Sequence, residues 1–329
     1  MRPGHTHRAV GPSQSGGIVP RKHDRDIVHR WGGNPLLTID DLSFRCNIIR
    51  NAGAIKVAGE YILLLTIQCL KGVHRIFCAR SRDGYYFDVS DYPLMAPSQE
   101  EEFAVYEQMG VLDARVVPLD GSYYICYDAL GPHGYRLGLA RTSDFRTVER
   151  IGLVSEPDTK CGALFPTRIK GRYARLERPS AGGSIWVSYS DDLQNWGWSE
   201  VVMTPRGGFW DNDRIGVATP PMPTDRGWLC VYYGVKETSA GPVTRLGAAI
   251  LDGEDPAQVV GRTNVPILSP REDYERVGEV PNLVYSCGAI AEVSGEIELY
   301  YGAANSCICM GTTPVDAIVE ACLEGGGEF

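Results

Sequence analysis

Five times along the chain a short apolar run, a glycine turn, a second run rich in Tyr, Trp and Leu, and a third run follow one another in the same order. The turns fall at Gly59, Gly121, Gly171, Gly227 and Gly295, and the second runs cover 61–68, 123–130, 172–179, 228–235 and 297–304. First runs such as 53–57, 114–118 and 289–293 precede the turns; third runs follow at 75–80, 136–141, 185–190, 245–250 and 307–312. Three of the third runs end alike, in Ala79-Arg-Ser-Arg-Asp83, Ala140-Arg-Thr-Ser-Asp144 and Ser188-Tyr-Ser-Asp-Asp192. Each of these tails reads as a strand entering an Asp turn. One such small sheet cannot bury both of its faces, so a repeat of roughly 50 to 70 residues built from short strands predicts units stacked around an axis. The expected fold is all-β, a five-bladed β-propeller forming a single domain over 31–313. A flexible lead-in over 1–30 precedes it, and a short helix with a tail over 314–329 follows.

Stacking around an axis has a chemical consequence, because it brings the starts of all five first strands to one central funnel. The residues at those positions are Arg50 and Asn51, Asp113-Ala-Arg115, Lys160 with Cys161, Asp213 with Arg214, and Pro281 with Asn282. Charge is costly at the start of a buried strand unless it faces a polar cavity. The alternative is a set of loop ends solvated at the rim.

Composition removes other classes of function. With 329 residues, of which 43% are hydrophobic and 22% charged, the chain can bury the core of one large β domain. A net charge of −9 without a basic run argues against nucleic acid as a partner. No apolar stretch reaches the length of a membrane span. Residues 1–30 lack the apolar centre of a signal peptide, and ten cysteines without one point to reduced thiols and a cytoplasmic location. Cys307 and Cys309 share a strand face but have no neighbouring His, and the six histidines form no zinc motif, so no metal is expected. Neither a Gly-x-Ser-x-Gly elbow nor a phosphate loop occurs.

The stretches Cys46-Asn-Ile-Ile-Arg-Asn-Ala-Gly-Ala54, Ala79-Arg-Ser-Arg-Asp-Gly84, Leu112-Asp-Ala-Arg115, Leu164-Phe-Pro166, Glu177-Arg-Pro179, Trp210-Asp211 and Arg214-Ile-Gly216 resemble the motifs of glycoside hydrolase family 130. Gly227-Trp-Leu229, Tyr232-Tyr-Gly-Val235, Val280-Pro-Asn282 and Tyr300-Tyr-Gly-Ala-Ala304 extend the likeness over roughly 34–312. The resemblance implies a five-bladed propeller and, for most members, inverting phosphorolysis of β-mannosides. Some members are mannosidases. Four positions depart from the family pattern: Ala114 stands for Pro, Tyr233 for His, Glu177 for His and Asn305 for Asp.

Inversion at a sugar carbon by water needs two carboxyl groups, one acid and one base. Phosphate is already an anionic nucleophile, so a phosphorylase can omit the base and needs cations and donors around the phosphate instead. The funnel has that imbalance. By resemblance Asp113 is the catalytic acid, delivering its proton through a sugar hydroxyl, and Lys160, Arg178 and Arg214 hold phosphate, with Tyr233 adding a hydroxyl donor. Arg50 and Asn51 read as sugar contacts, with Gly53 allowing close approach of the main chain. Asp211, Asn282 and Asn305 join the sugar set by their motifs, and so does Arg80, whose other reading is a tie to its own Asp83 turn. Tyr106, Trp210 and Tyr232 are further aromatic candidates. The implied partners are a β-mannoside such as mannosyl-glucose or a mannooligosaccharide, and inorganic phosphate as co-substrate, with no cofactor. The resemblance also implies a homo-oligomer. A hydrolase on the same fold would draw its base from Asp211, Asp213, Glu275 or Glu279, and a non-catalytic sugar-binding propeller is the third reading.

Overall fold

The computed structural model describes residues 25–326. Strand β1 (His29–Arg30) comes first, followed by a group of β2 (Ile48–Val57), β3 (Glu60–Gln68), β4 (His74–Ser81) and β5 (Asp88–Met95). The second group is β6 (Gly110–Leu119), β7 (Ser122–Gly131), β8 (Gly134–Thr142) and β9 (Glu149–Leu153); the third is β10 (Thr159–Leu164), β11 (Tyr173–Pro179), β12 (Ile185–Ser190) and β13 (Trp196–Met203). In the fourth, β14 (Arg214–Val217) and β15 (Met222–Thr224) both pair with β16 (Gly227–Thr238), which leads to β17 (Gly241–Leu251) and β18 (Val259–Arg262). The last group is β19 (Val284–Ala291), β20 (Glu296–Ala303) and β21 (Cys307–Pro314).

Within each group the pairing is antiparallel, which yields five units four strand positions wide. The fifth unit takes its outer strand from the other end of the chain, because β1 pairs with β21 through His29–Thr312 and Arg30–Gly311. Residues 25–30, expected in a flexible lead-in, are therefore built into the fold. Asp26 and Val28 are buried, and Asp26 accepts bonds from Arg30 and Arg271. Residues 1–24 lie outside the described residues. Val315–Gly325 is helical, and a further short helix occupies Glu101–Glu107. Among the described residues no helix is long and apolar enough to cross a membrane.

The five turn glycines all adopt positive φ, between +77° and +123°, where a side chain would be strained. The Asp turns recur as well. Asp83, Asp144 and Asp192 each accept two successive backbone N–H groups, and Asp252 does the same in the fourth unit without the sequence tail that marks the other three. Strand β3 is buried without a break from Tyr61 to Ile67, because neighbouring units cover both of its faces, the situation that calls for continuous apolar runs. Burying each such Leu or Ile contributes about 1.5–3 kcal/mol.

First strands lie side by side in the order β19, β2, β6, β10 and β14. Gly53 serves this packing: a Cβ there would fall 2.2 Å from the Ala114 carbonyl oxygen, so the glycine admits β6. Arg115, fully buried on β6, donates to the carbonyls of Val217 and Ala218 in the fourth unit and to the Tyr285 hydroxyl in the fifth. One side chain thus joins three units at their inner strands.

Candidate active site

The first strands of three consecutive units carry the same irregularity near their starts. Register shifts between Arg50 and Ala52, between Leu112 and Arg115, and between Lys160 and Ala163. At each bulge one residue is left-handed: Asn51 at φ +46°, Asp113 at +55° and Cys161 at +59°. Backbone in this region costs about 1–3 kcal/mol per non-glycine residue, and such bulges re-aim side chains. Asn282, just ahead of β19, is also left-handed at φ +56°.

The re-aimed side chains meet. Asn51 donates from Nδ2 to Asp113 Oδ1 at 2.8 Å, and the Asp113 backbone N–H donates to Thr66 Oγ1 at 2.9 Å. Arg115 Nη1 donates to the Asp113 carbonyl, so Asp113 is fixed from three sides. Lys160 lies directly across the β10–β11 ladder from Arg178, with its Nζ 4.8 Å from the Tyr135 ring centroid. The Cys161 thiol lies 3.6 Å from the Tyr233 hydroxyl and 3.4 Å from that of Tyr285, whose rings are 4.9 Å apart. Arg178 is buried beside Tyr233, Cys161 and Tyr285. Burial pushes both tyrosine hydroxyls well above their ordinary range, leaving them protonated donors.

Several buried polar atoms in this group have no hydrogen-bond partner within the protein: Arg50 Nε, Asn51 Oδ1, His74 Nδ1, Asp128 Oδ2 and Arg178 Nε. Buried polar groups are normally satisfied, so such a concentration at one end of the inner strands marks a surface prepared for a polar ligand. Asn305, left-handed and buried, sits at the same end beside Asn282, since the Ala304 N–H donates to the Leu283 carbonyl and the Ala304 carbonyl accepts from Val280.

Other expected site residues are engaged elsewhere. Arg80 donates to Glu60 and to the Asp144 carbonyl, opposite Ile62 on β3, which in turn faces Ile55 on β2. Ile55 is five steps along β2 from Arg50, roughly 16 Å of strand, so Arg80 is not in the central group. It lines an outer cavity of about 780 Å³ with Glu60, Tyr86 and Tyr92. Asp211, expected among the sugar contacts, is fully buried and bonded by Arg206, by Arg262 Nη2 at 2.8 Å and by the Tyr232 hydroxyl at 2.9 Å, so its oxygens are taken up by the protein. Trp210 stacks on Tyr232 in the same core. Arg214 is partly exposed and ion-paired with Asp213 and Glu237. Glu177 turns away from Arg178 toward Arg175 and Ser188.

Three members of the group went unread in the sequence. Thr66 and Asp128 lie on second strands, where a polar residue looks like an interruption of an apolar run, and His74 opens a third strand. Burial, then the charge of Arg50, pulls His74 down to about 4, so its imidazole is neutral at physiological pH.

The family model described as beta-1,4-mannooligosaccharide phosphorylase, glycoside hydrolase family 130, matches residues 42–324. A 1,2-β-oligomannan phosphorylase from Thermoanaerobacter sp. strain X514 is 36% identical over 241 residues, covering 72% of this chain and 78% of its own. The β-1,4-mannooligosaccharide phosphorylase of Ruminococcus albus is 30% identical over 308 residues, covering 90% and 91%. Among solved structures, the β-1,2-mannobiose phosphorylase from Listeria innocua in complex with β-1,2-mannobiose superposes with a TM-score of 0.81 at 28% identity, covering 90% of this chain and 99% of that one.

Proposed function

The chain belongs to glycoside hydrolase family 130, and from that premise we propose that it is an inverting β-mannoside phosphorylase, a glycosyltransferase of the phosphorylase type whose five four-stranded units are the blades of a propeller. The reaction cleaves a β-mannoside with inorganic phosphate and needs no cofactor. Asp113 sends its proton, through a sugar hydroxyl, to the leaving oxygen as the glycosidic bond breaks. Phosphate attacks the anomeric carbon from the opposite face, giving α-D-mannose 1-phosphate and a shortened acceptor, and the proton carried by hydrogenphosphate returns to the acid. Arg50, Asn51, Asn282 and Asn305 hold the sugar. Lys160, Arg178 and the Tyr233 hydroxyl hold phosphate, and Arg214 joins them on exchanging its pairing with Asp213.

The observation that carries this reading is the pair of cations in the group: buried Arg178 with an unpartnered Nε, and Lys160 across the ladder from it. Two of the carboxylates a hydrolase would use, Asp211 and Glu275, are consumed by structural bonds. Glu275 accepts from Arg30, Tyr301 and the Arg271 and Glu272 backbones. Charge-assisted contacts contribute about 1.5–3 kcal/mol each, so Arg178→Ala and Lys160→Ala should each raise the KM for phosphate by roughly 10- to 100-fold. Synthesis from mannose 1-phosphate should fall in parallel, because the same phosphoryl group is held in both directions. Phosphate saturation curves decide the point, and an unchanged phosphate KM in both variants would remove these residues from the site. The substrate panel should include 1,2- and 1,4-linked mannobiose as well as mannosyl-glucose.

A further inference from the structure

Asp128 is a carboxyl group that the proposed reaction leaves unused. It is fully buried on β7, opposite Leu112 and therefore one residue from Asp113 along the neighbouring strand. Its Oδ1 accepts the Cys161 N–H at 3.0 Å, which helps hold the left-handed bulge of β10, while Oδ2 has no partner within the protein. From β6 it feels Asp113 and Arg115, and from β10 Lys160 and the Cys161 N–H; Cys287 of β19 is also within its field. Across the β7–β8 ladder Leu137 stands opposite it.

We propose that Asp128 is a positioning residue and charge switch of the phosphate site, a second carboxyl group that, when ionised, draws on Lys160 and opposes the incoming phosphate dianion. Protonated, it leaves Lys160 to phosphate. Burial is the leading cause that pushes the Asp128 carboxyl up to about 6, a value inside the span of pH 5 to 8. The sign follows directly: above this value Asp128 is anionic and phosphate binding weakens, and below it the opposition disappears.

This inference rests on the phosphorylase reading, and its test separates the two. Inorganic phosphate binding is measured by calorimetry between pH 5 and 8 for the wild type and Asp128→Asn, a substitution that keeps an acceptor for the Cys161 N–H. The ratio of the two affinities cancels the titration of phosphate itself. At pH 7.5 the variant should bind phosphate roughly 3- to 10-fold tighter, and at pH 5 the two should agree within about twofold. A ratio that does not change with pH, or a variant that binds more weakly at pH 7.5, overturns the switch while leaving the phosphorylase reading standing. A wild type that binds no phosphate at any pH overturns both. Should the variant fail to fold, carbon NMR of the wild-type carboxyl groups still decides: saturating phosphate must move the titration near pH 6 upward, because binding and protonation are reciprocally linked. An unmoved midpoint contradicts the proposal.

Discussion

Asp113→Asn should leave a folded protein that still binds mannoside and turns over about 10²- to 10⁴-fold more slowly. The side-chain carbonyl of Asn can still accept from Asn51 Nδ2, and the backbone bonds to Thr66 and Arg115 do not involve the carboxyl group. What disappears is the proton. The loss should therefore fall on kcat, with an unchanged Tm and a mannoside KM within a few-fold of wild type. A variant that keeps a tenth of wild-type activity would sink the assignment, and attention would turn to Asp128. Glu107, the nearest alternative by sequence, is excluded because Tyr127, Arg150 and the Ser98 N–H occupy both of its oxygens.

The second large effect is on stability. Asp211→Ala removes the carboxylate shared by Arg206, Arg262 and Tyr232, and breaks the ion pair that Asp211 makes with the Arg262 guanidinium, whose side chain is only 1% exposed. Breaking a buried pair by deleting one partner costs about 3–5 kcal/mol. In a chain of this size that corresponds to a fall in Tm of roughly 5–8 °C. Thermal unfolding with parallel mannoside kinetics distinguishes this from a sugar-binding role. A normal Tm with a sharply raised mannoside KM would return Asp211 to the sugar set.

The repeat was legible because its signals are local. Glycines that need positive φ stand at every turn between first and second strands, and three of the four Asp turns carry a shared tail. The two-residue β1 was not legible, since nothing in His29–Arg30 announces a partner some 280 residues away. Asp113 and its neighbours were singled out because charge at the start of a first strand is out of place. Asn51, Asp113, Lys160 and Arg178 do converge, although the bulges that aim them depend on ladder register rather than on residue type. Asp211 and Arg80, read as sugar contacts, are both engaged by protein groups: a motif marks a residue as specified without saying whether a ligand or the protein specifies it. Asp128 and Thr66 were missed because a single polar residue within an apolar strand carries no periodic signal.

The most direct measurement is wild-type turnover of a β-mannoside with and without inorganic phosphate, with products resolved by anomeric configuration. Turnover should require phosphate, saturate with it, and yield α-D-mannose 1-phosphate stoichiometric with the released acceptor. Free mannose formed at a rate indifferent to phosphate would contradict the account and make the chain a hydrolase.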